Sequence, residues 1–196
     1  MIVFIDRQHA GKPNKLADRG ASVDIDGDST PEREALITGQ IALELEKILI
    51  LNGIHVMPIS DGLYSERHDR VNKYAAMHPD QRCVYLAMHL NAGGGDYGAY
   101  FYDARSANGK TLARYFQKAF TDSDLTIAEI KTIPCCADDW TNHAYNTIKG
   151  VGRPVALCVE PLFMDNDKHA QYLTYTGIQK IANLMALAII NWGING

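Results

Sequence analysis

Two histidines and two carboxylates stand at positions where an α/β protein often binds a ligand. His9 follows the apolar run IVFID by three residues, His89 follows the run CVYLAM, and Glu160 follows PVALCV. Glu34 lies near the start of a strongly periodic helical segment. The carboxyl ends of strands in an open α/β sheet line one crevice, which the first turn of the following helix also faces. We therefore expect these four side chains to lie close together.

These residue types are the ones that build a catalytic zinc site. Two histidines and one carboxylate, with a fourth position open, are a recurring ligand set for catalytic zinc, and a further carboxylate can then transfer protons. Zinc polarises a carbonyl group and lowers the pKa of a bound water from about 15.7 to about 7. The four residues therefore predict hydrolysis of an amide at a zinc ion.

Each of these residues alone also has a simpler explanation. A histidine near a strand end is more often a hydrogen-bonded core or loop residue than a metal ligand. An acid such as Glu34 in the first turn of a helix is favoured by the helix dipole. Glu160 is harder to explain in this way, because an ionisable group in an apolar strand costs free energy unless it is paired, bound or at the rim. The coincidence of all four residues favours a functional site.

Strands that alternate with helices predict the fold that positions these residues. Short β-branched and aromatic runs predict buried strands, and apolar residues at helical spacing, such as Ile37, Ile41 and Leu45, predict helices. We expect strands at 2–6, 54–60, 83–92 and 154–163 and within 93–103, and helices within 29–53, 64–79, 108–123 and 170–193. Within the less readable segment 122–153, residues 130–140 suit a loop or an edge strand. The pattern predicts one α/β domain over 1–196, with a mostly parallel, twisted sheet covered by helices on both faces.

The composition limits the classes of partner. The 19 basic and 23 acidic residues give a net charge of -4, so the chain lacks the basic excess that binds a polyphosphate backbone, and no nucleic acid partner is expected. The apolar segment 181–192 is interrupted by two asparagines and is shorter than the roughly 20 residues of a membrane-spanning helix. We expect no membrane anchor, and we take a monomer as the default oligomeric state.

The N-terminus and the cysteines indicate where the protein is made. The segment MIVFIDRQHAGKP has no basic leader, no long apolar core and no small-residue cleavage site, so it is not predicted to be a secretory signal. The four cysteines do not suggest a disulfide framework, because Cys135 and Cys136 are adjacent and Cys83 and Cys158 lie in predicted strands. We expect synthesis in a reducing cytoplasm, without a signal peptide.

Six short motifs occur along the chain in the order found in one enzyme family. They are VFIDRQHAG with His9; Asp18, Gly20 and Ala21 in DRGA; Glu34 in EALITGQIALEL; the helix from Arg67 to Asn72; His89, Asn91 and Ala92; and Val159, Glu160, Phe163 and Asn166. With these motifs the chain resembles, from about Ile2 to Trp192, the zinc-dependent N-acetylmuramoyl-L-alanine amidases of the Amidase type 3 family.

The resemblance implies a role for each candidate residue. His9, Glu34 and His89 would hold Zn²⁺, and Glu160 would be the catalytic acid and base. Glu32 fits the family's helix-start motif less well than Glu34, because two positions away it would point to a different face of the helix. The implied substrate is peptidoglycan, cut between the lactyl group of muramic acid and L-alanine.

The chain departs from the family pattern around two of these motifs. Gln8 and Ala10 replace two glycines of the first turn, and a longer segment separates His9 from the Asp-x-Gly-Ala element. Pro161 and Leu162 occupy positions before the closing phenylalanine where the family prefers a residue followed by glycine. These departures leave the expected chemistry intact and affect the shape of the cleft.

Two functions besides wall hydrolysis also fit these residues. A zinc exopeptidase or deacylase of small amides would use the same crevice, and a non-catalytic wall-binding domain would keep the metal ligands without cutting a bond. Glu160 disfavours the binding domain, which needs no extra carboxylate at the metal. For wall hydrolysis, the missing signal and the lack of a separate wall-binding module favour a phage or prophage lysin that is released through a membrane lesion.

A second metal site is not predicted from the remaining cysteines and histidines. The candidates for one would be Cys135, Cys136, Asp138, Asp139 and His143. Their spacing fits no common zinc motif. We therefore expect these residues to have ordinary structural roles.

Overall fold

A six-stranded sheet organises the chain in a computed structural model that describes residues 1–9, 20–24, 29 and 32–196. Its strands are β1 (Ile2–Arg7), β4 (His55–Ile59), β5 (Cys83–Met88), β6 (Tyr97–Asp103), β7 (Glu129–Cys135) and β8 (Val155–Glu160), in the order β4-β1-β5-β8-β6-β7. β4, β1, β5 and β8 run parallel, and β6 pairs antiparallel with β8 and parallel with β7. The sheet is therefore mostly parallel, as predicted, and β1, β5 and β8 are neighbours whose carboxyl ends share one edge.

Helices cover both faces of this sheet, as the sequence predicts. They are α1 (Glu34–Leu51), α2 (Tyr64–Met77), α3 (Ala107–Thr121), α4 (Asn142–Ile148), α5 (Asp167–Ala170) and α6 (Tyr175–Asn195), with a 3₁₀ turn at Gln171–Leu173. One hydrophobic cluster packs α1, α3 and α6 against alternate strand residues such as Ile5, Leu86 and Val159. A second cluster packs α2 and α4 against the intervening residues, such as Phe4 and Cys158. This alternation follows from the two-residue period of a strand.

A buried ion pair joins β1 to α2. Arg67 Nη1 donates a hydrogen bond to Asp6 Oδ1 at 2.7 Å, and both side chains are completely buried. The hydroxyl group of Tyr85 on β5 donates to the other carboxylate oxygen of Asp6, and Arg67 Nε donates to the carbonyl of Gly62 at 3.0 Å. Burial raises the pKa of Asp6, and Arg67 and Tyr85 oppose that increase. The Arg67 of the predicted family motif is thus a structural residue that holds the carboxyl end of β1.

The starts of two helices differ from the sequence prediction. α1 begins at Glu34 and not near Ser29, because Glu32–Arg33 form a short strand, β3, paired antiparallel with β2 (Ser22–Val23). Thr30, which with Ser29 is a candidate cap in the sequence, and Pro31, a candidate first-turn residue, lie outside the described residues. The predicted helix 170–193 is divided: α6 starts at Tyr175, where the Thr174 side chain accepts a hydrogen bond from Gly177 N at 3.4 Å.

The segment 122–153 contains more regular structure than its sequence suggests. Residues 130–140 include most of β7, which is an edge strand of the sheet and so matches one of the two alternatives. The helix α4 within this segment was not predicted. Among the described residues, no single helix is long and apolar enough to cross a membrane, although Asp167–Leu173 and Tyr175–Asn195, bent by 85°, meet the length and composition criteria as a pair.

Candidate metal centre

The side chains of His9, Glu34 and His89 meet at the carboxyl edge of the sheet. His9 Nε2 lies 3.2 Å from His89 Nδ1, and Glu34 Oε1 lies 3.4 Å from His9 Nε2 and 3.0 Å from His89 Nδ1. His9 follows β1 and His89 follows β5, and these strands are paired up to Arg7 and Met88. The sequence therefore correctly predicts that these three side chains lie together.

The spacing of the three donor atoms fits one tetrahedral metal ion. Zinc–nitrogen and zinc–oxygen bonds of roughly 2.0–2.1 Å at tetrahedral angles separate neighbouring ligand atoms by about 3.3–3.4 Å. The three observed separations are 3.0, 3.2 and 3.4 Å. Two imidazole nitrogens and a carboxylate oxygen also form a donor set that zinc prefers, and within the described part of the chain they are the group that could hold a metal ion.

Glu34 is held in place by backbone groups on both sides. Its Oε2 accepts a hydrogen bond from Ala21 N at 3.0 Å, and its Oε1 accepts one from Leu90 N at 3.0 Å. Gly20 has φ +75°, and a Cβ atom at this position would lie 2.3 Å from Glu34 Oε2. Burial would raise the pKa of Glu34, but its hydrogen bonds to and attraction by the two histidines outweigh burial and lower that pKa strongly. The carboxylate is therefore fixed in its charged, metal-binding form.

The two histidines are positioned in different ways. His9 lies in a turn with φ +61°, in the left-handed region that histidine adopts more readily than most residues and that glycine adopts most easily. His89 continues the line of β5, since its backbone N–H donates to the carbonyl of Val159 at 2.9 Å. Its Nδ1 faces Glu34, while its Nε2 is buried without a hydrogen-bond partner in the described part of the chain. Nδ1 is thus the nitrogen that is available to a metal.

Glu160 ends β8, the strand next to β5, and is only 6% exposed. Met88 pairs with Val159, so His89 and Glu160 are the next residues of the two strands. Ala87 and Cys158 belong to the cluster on the α2 and α4 face, and strand alternation therefore directs His89 and Glu160 to that same face. The register places this carboxylate beside the strand that provides His89.

One residue at this site was not found by sequence reasoning. His143, in the first turn of α4, places its Nε2 3.7 Å from Glu160 Oε1. No local sequence pattern indicates this contact, because it depends on how a short helix packs on the sheet. Cys135, Cys136, Asp138 and Asp139, which were considered with His143, form no second metal-binding group among the described residues.

Other residues of the family motifs hold the loops around the site. Asn91 N donates to the carbonyl of Leu162, and Met164 N donates to the carbonyl of Asn91, both at 2.9 Å. Asn166 Nδ2 donates to the carbonyl of Gly95 at 2.8 Å and so ties the two loops together. Asn72 instead lies away from the site, where its side chain donates to Gly150 O and accepts from Gly152 N in the loop before β8. Asp18 lies outside the described residues.

Solved structures share this fold over nearly the whole chain. The amidase Ami1 from Mycobacterium smegmatis superposes with a TM-score of 0.72 at 17% identity, covering 100% of this chain and 98% of that one. The amidase AmiC2 of Nostoc punctiforme gives 0.71 at 17% identity, with 98% and 96% covered. The catalytic domain of the CD27L endolysin, which targets Clostridia difficile, gives 0.68 at 18% identity, with 97% of each chain covered. At these identities the likeness concerns the fold.

The family itself is identified by sequence. A comparison with curated proteins finds no match. The model of the Amidase type 3 family, described as N-acetylmuramoyl-L-alanine amidase, matches residues 3–191. The matched range includes His9, Glu34, His89 and Glu160. The chain therefore belongs to the Amidase type 3 family of N-acetylmuramoyl-L-alanine amidases.

Proposed function

We propose that the protein is a zinc-dependent enzyme that hydrolyses the amide bond between N-acetylmuramic acid and L-alanine in peptidoglycan. The single observation that carries the zinc dependence is the convergence of His9 Nε2, Glu34 Oε1 and His89 Nδ1 within 3.0–3.4 Å of one another. Membership of the amidase family supports the choice of this amide bond as the one that is hydrolysed. The buried carboxylate of Glu160 on the adjacent strand supports hydrolysis over mere binding.

In this proposal, three residues bind the metal and a fourth transfers protons. His9, Glu34 and His89 would hold zinc, which supplies a Lewis acid for the scissile carbonyl and lowers the pKa of a water molecule. Glu160 accepts the proton of the attacking water on its carboxylate and returns a proton to the amide nitrogen of L-alanine as that nitrogen leaves. The Leu90 and Ala21 backbone N–H groups keep Glu34 oriented throughout.

The test is digestion of purified peptidoglycan sacculi, with mass spectrometry of the soluble products. We expect stem peptides with a free L-alanine amine, lost when a chelator removes zinc and restored when zinc is added back. Intact sacculi together with hydrolysis of small acyl-amino acids would instead identify a small-amide hydrolase. Intact sacculi that bind the zinc-loaded protein without any hydrolysis would identify a wall-binding domain.

A pair of variants tests the role of Glu160. Glu160→Gln keeps the shape of the side chain and removes its proton-accepting oxygen, so we expect turnover to fall by about 10²–10⁴-fold while bound zinc stays unchanged. The matched control is Glu44→Gln, which changes a carboxylate that pairs with Lys47 on the surface of α1. Turnover by Glu160→Gln close to that of Glu44→Gln would contradict the assignment.

We also propose a lysin role, in which the enzyme degrades a bacterial wall at the end of a phage or prophage cycle. The likeness in fold to the endolysin catalytic domain supports this role. In a bacterial host, production of the protein should cause lysis only when a membrane-permeabilising protein is produced with it. Lysis that needs no such protein, or sacculi resistant to the purified enzyme, would count against the role.

A further inference from the structure

Among the described residues, the carboxylate of Glu160 faces a histidine that can become cationic and that the proposed mechanism does not use. Glu160 is buried at the end of β8, and a buried carboxylate needs compensating charge or hydrogen bonds. Its Oε1 lies 3.9 Å from the thiol of Cys158, a weak donor, and 3.7 Å from His143 Nε2. His143 is thus the group that can balance the charge of this carboxylate.

The surroundings of His143 determine which of its nitrogens faces Glu160. His143 Nδ1 lies 3.0 Å from the backbone carbonyl of Trp140, and because a carbonyl only accepts, Nδ1 must carry a hydrogen. Nε2 is therefore the nitrogen that gains and loses a proton, and it is the one directed at Glu160. Protonation of Nε2 produces an imidazolium that pairs with the carboxylate. A neutral His143 would instead present a lone pair to it.

The other contacts of His143 fix its ring and add no charge. The ring packs edge-on against Phe101 of β6, with centroids 5.5 Å apart, and is tilted against Trp140 at 6.4 Å. The charged group that faces the ring is Glu160 of β8. The interaction with the Glu160 carboxylate raises the pKa of His143, burial opposes this rise, and the Trp140 carbonyl adds to it. The side chain remains 56% exposed, so it can exchange protons with solvent.

We propose that His143 is a positioning residue that holds the Glu160 carboxylate in its reactive orientation through a Nε2–carboxylate ion pair. This inference rests on the proposed function, because it assigns to His143 an action through the catalytic Glu160. Fixing the carboxylate favours one rotamer and so keeps the proton-accepting oxygen aimed at the reaction site. In this proposal His143 acts on Glu160 and takes no direct part in metal binding or in cleavage of the amide bond.

Kinetics of three variants separate this role from simple structural support. In His143→Gln, which has no cation, we expect kcat to fall by about fivefold, the equivalent of a strong exposed ion pair, with little change in KM and no change in bound zinc. His143→Lys, which keeps a cation, should recover most of the lost kcat. The control is His55→Gln at the start of β4, an exposed site at the opposite edge of the sheet, which should behave like the unchanged protein.

The proposal predicts the direction in which kcat changes with pH. The imidazolium is fully present below the raised pKa of His143 and is lost as the pH rises through that value. The decrease in kcat over this range should be present in the unchanged protein and absent from both His143→Gln and His143→Lys, because neither replacement titrates there.

An NMR titration tests the proposal without any measurement of enzyme activity. The His143 ring signals can be followed by NMR as a function of pH in the unchanged protein and in Glu160→Gln, where the pKa of His143 should fall toward its ordinary value. The inference is wrong if the pKa does not fall, or if His143→Gln has the kcat of His55→Gln. Neither result affects the proposed function, which fails separately if Glu160→Gln still hydrolyses the wall at the normal rate.

Discussion

Replacement of Gly20 by alanine should weaken zinc binding although none of the three proposed ligands is replaced. Gly20 has φ +75°, and a Cβ atom there would lie 2.3 Å from Glu34 Oε2 and 2.7 Å from Glu34 Cβ. The carboxylate end could rotate away from the new methyl group, but Glu34 Cβ is fixed at the start of α1 and cannot. A shift of the carboxylate, or of the backbone at residue 20, breaks the hydrogen bond from Ala21 N that orients the carboxylate.

Two effects contribute to the magnitude, and a second glycine separates them. A left-handed alanine costs roughly 1–2 kcal/mol of folding free energy wherever it occurs. Loss of the group that orients a metal ligand typically lowers metal affinity by about 10–100-fold, or about 1.4–2.7 kcal/mol. Gly53 has φ +72° and no atom within 4 Å of its added Cβ, so Gly53→Ala has the backbone cost alone.

The assay is a zinc titration against a competing chelator, with urea unfolding of both variants in the metal-free state. We expect Gly20→Ala to lose at least as much stability as Gly53→Ala, because it adds a clash with Glu34 to the same backbone cost, and we expect zinc affinity to fall only in Gly20→Ala. A dissociation constant in Gly20→Ala within twofold of that in Gly53→Ala would refute the reasoning, because it would show that Glu34 binds zinc equally well from a displaced position.

Three further substitutions test the packing around the site by urea unfolding. Tyr100→Phe should raise stability by about 1 kcal/mol, because the Tyr100 hydroxyl group is buried without a partner in the described part of the chain; a loss of stability would reveal an unrecognised hydrogen bond. Arg67→Met should cost about 3–5 kcal/mol by leaving the buried Asp6 carboxylate without its cation, and a cost below about 1 kcal/mol would mean that Asp6 is neutral. Gly95→Ala places a Cβ atom 2.4 Å from the ring of Phe163 and should cost about 1–3 kcal/mol, and an unchanged midpoint would show that the loop moves freely.

The three proposed ligands were predictable because strand ends are predictable. His9 and His89 follow apolar runs that form β1 and β5, and parallel strands bring their carboxyl ends to one edge whatever their order in the sheet. Glu34 was identified from the helix that follows β1, although the start of that helix was misplaced. An error of a few residues in a boundary does not move a side chain to a different edge of the sheet.

The errors occurred where distant residues decide the local structure. Glu32–Arg33 suit the first turn of a helix, yet they pair with Ser22–Val23, a contact that no local pattern reveals. The division before α6 had a local signal, since Thr174 is a good capping residue three positions before Gly177. The role of His143 had no such signal, because the direction of its side chain depends on the packing of α4 against β6 and β8.

The three proposed metal ligands come from parts of the chain that are far apart in sequence. Glu34 and His89 are 55 residues apart, and His9 and His89 are 80 residues apart. An ion bound to all three acts as a cross-link between β1, α1 and β5 that the unfolded chain cannot form equally well. By mass action, each tenfold rise in free zinc above the dissociation constant adds about 1.4 kcal/mol to the stability of the folded state. With the proposed zinc dependence, the stability of the folded enzyme in a medium would depend on the free zinc there as well as on temperature.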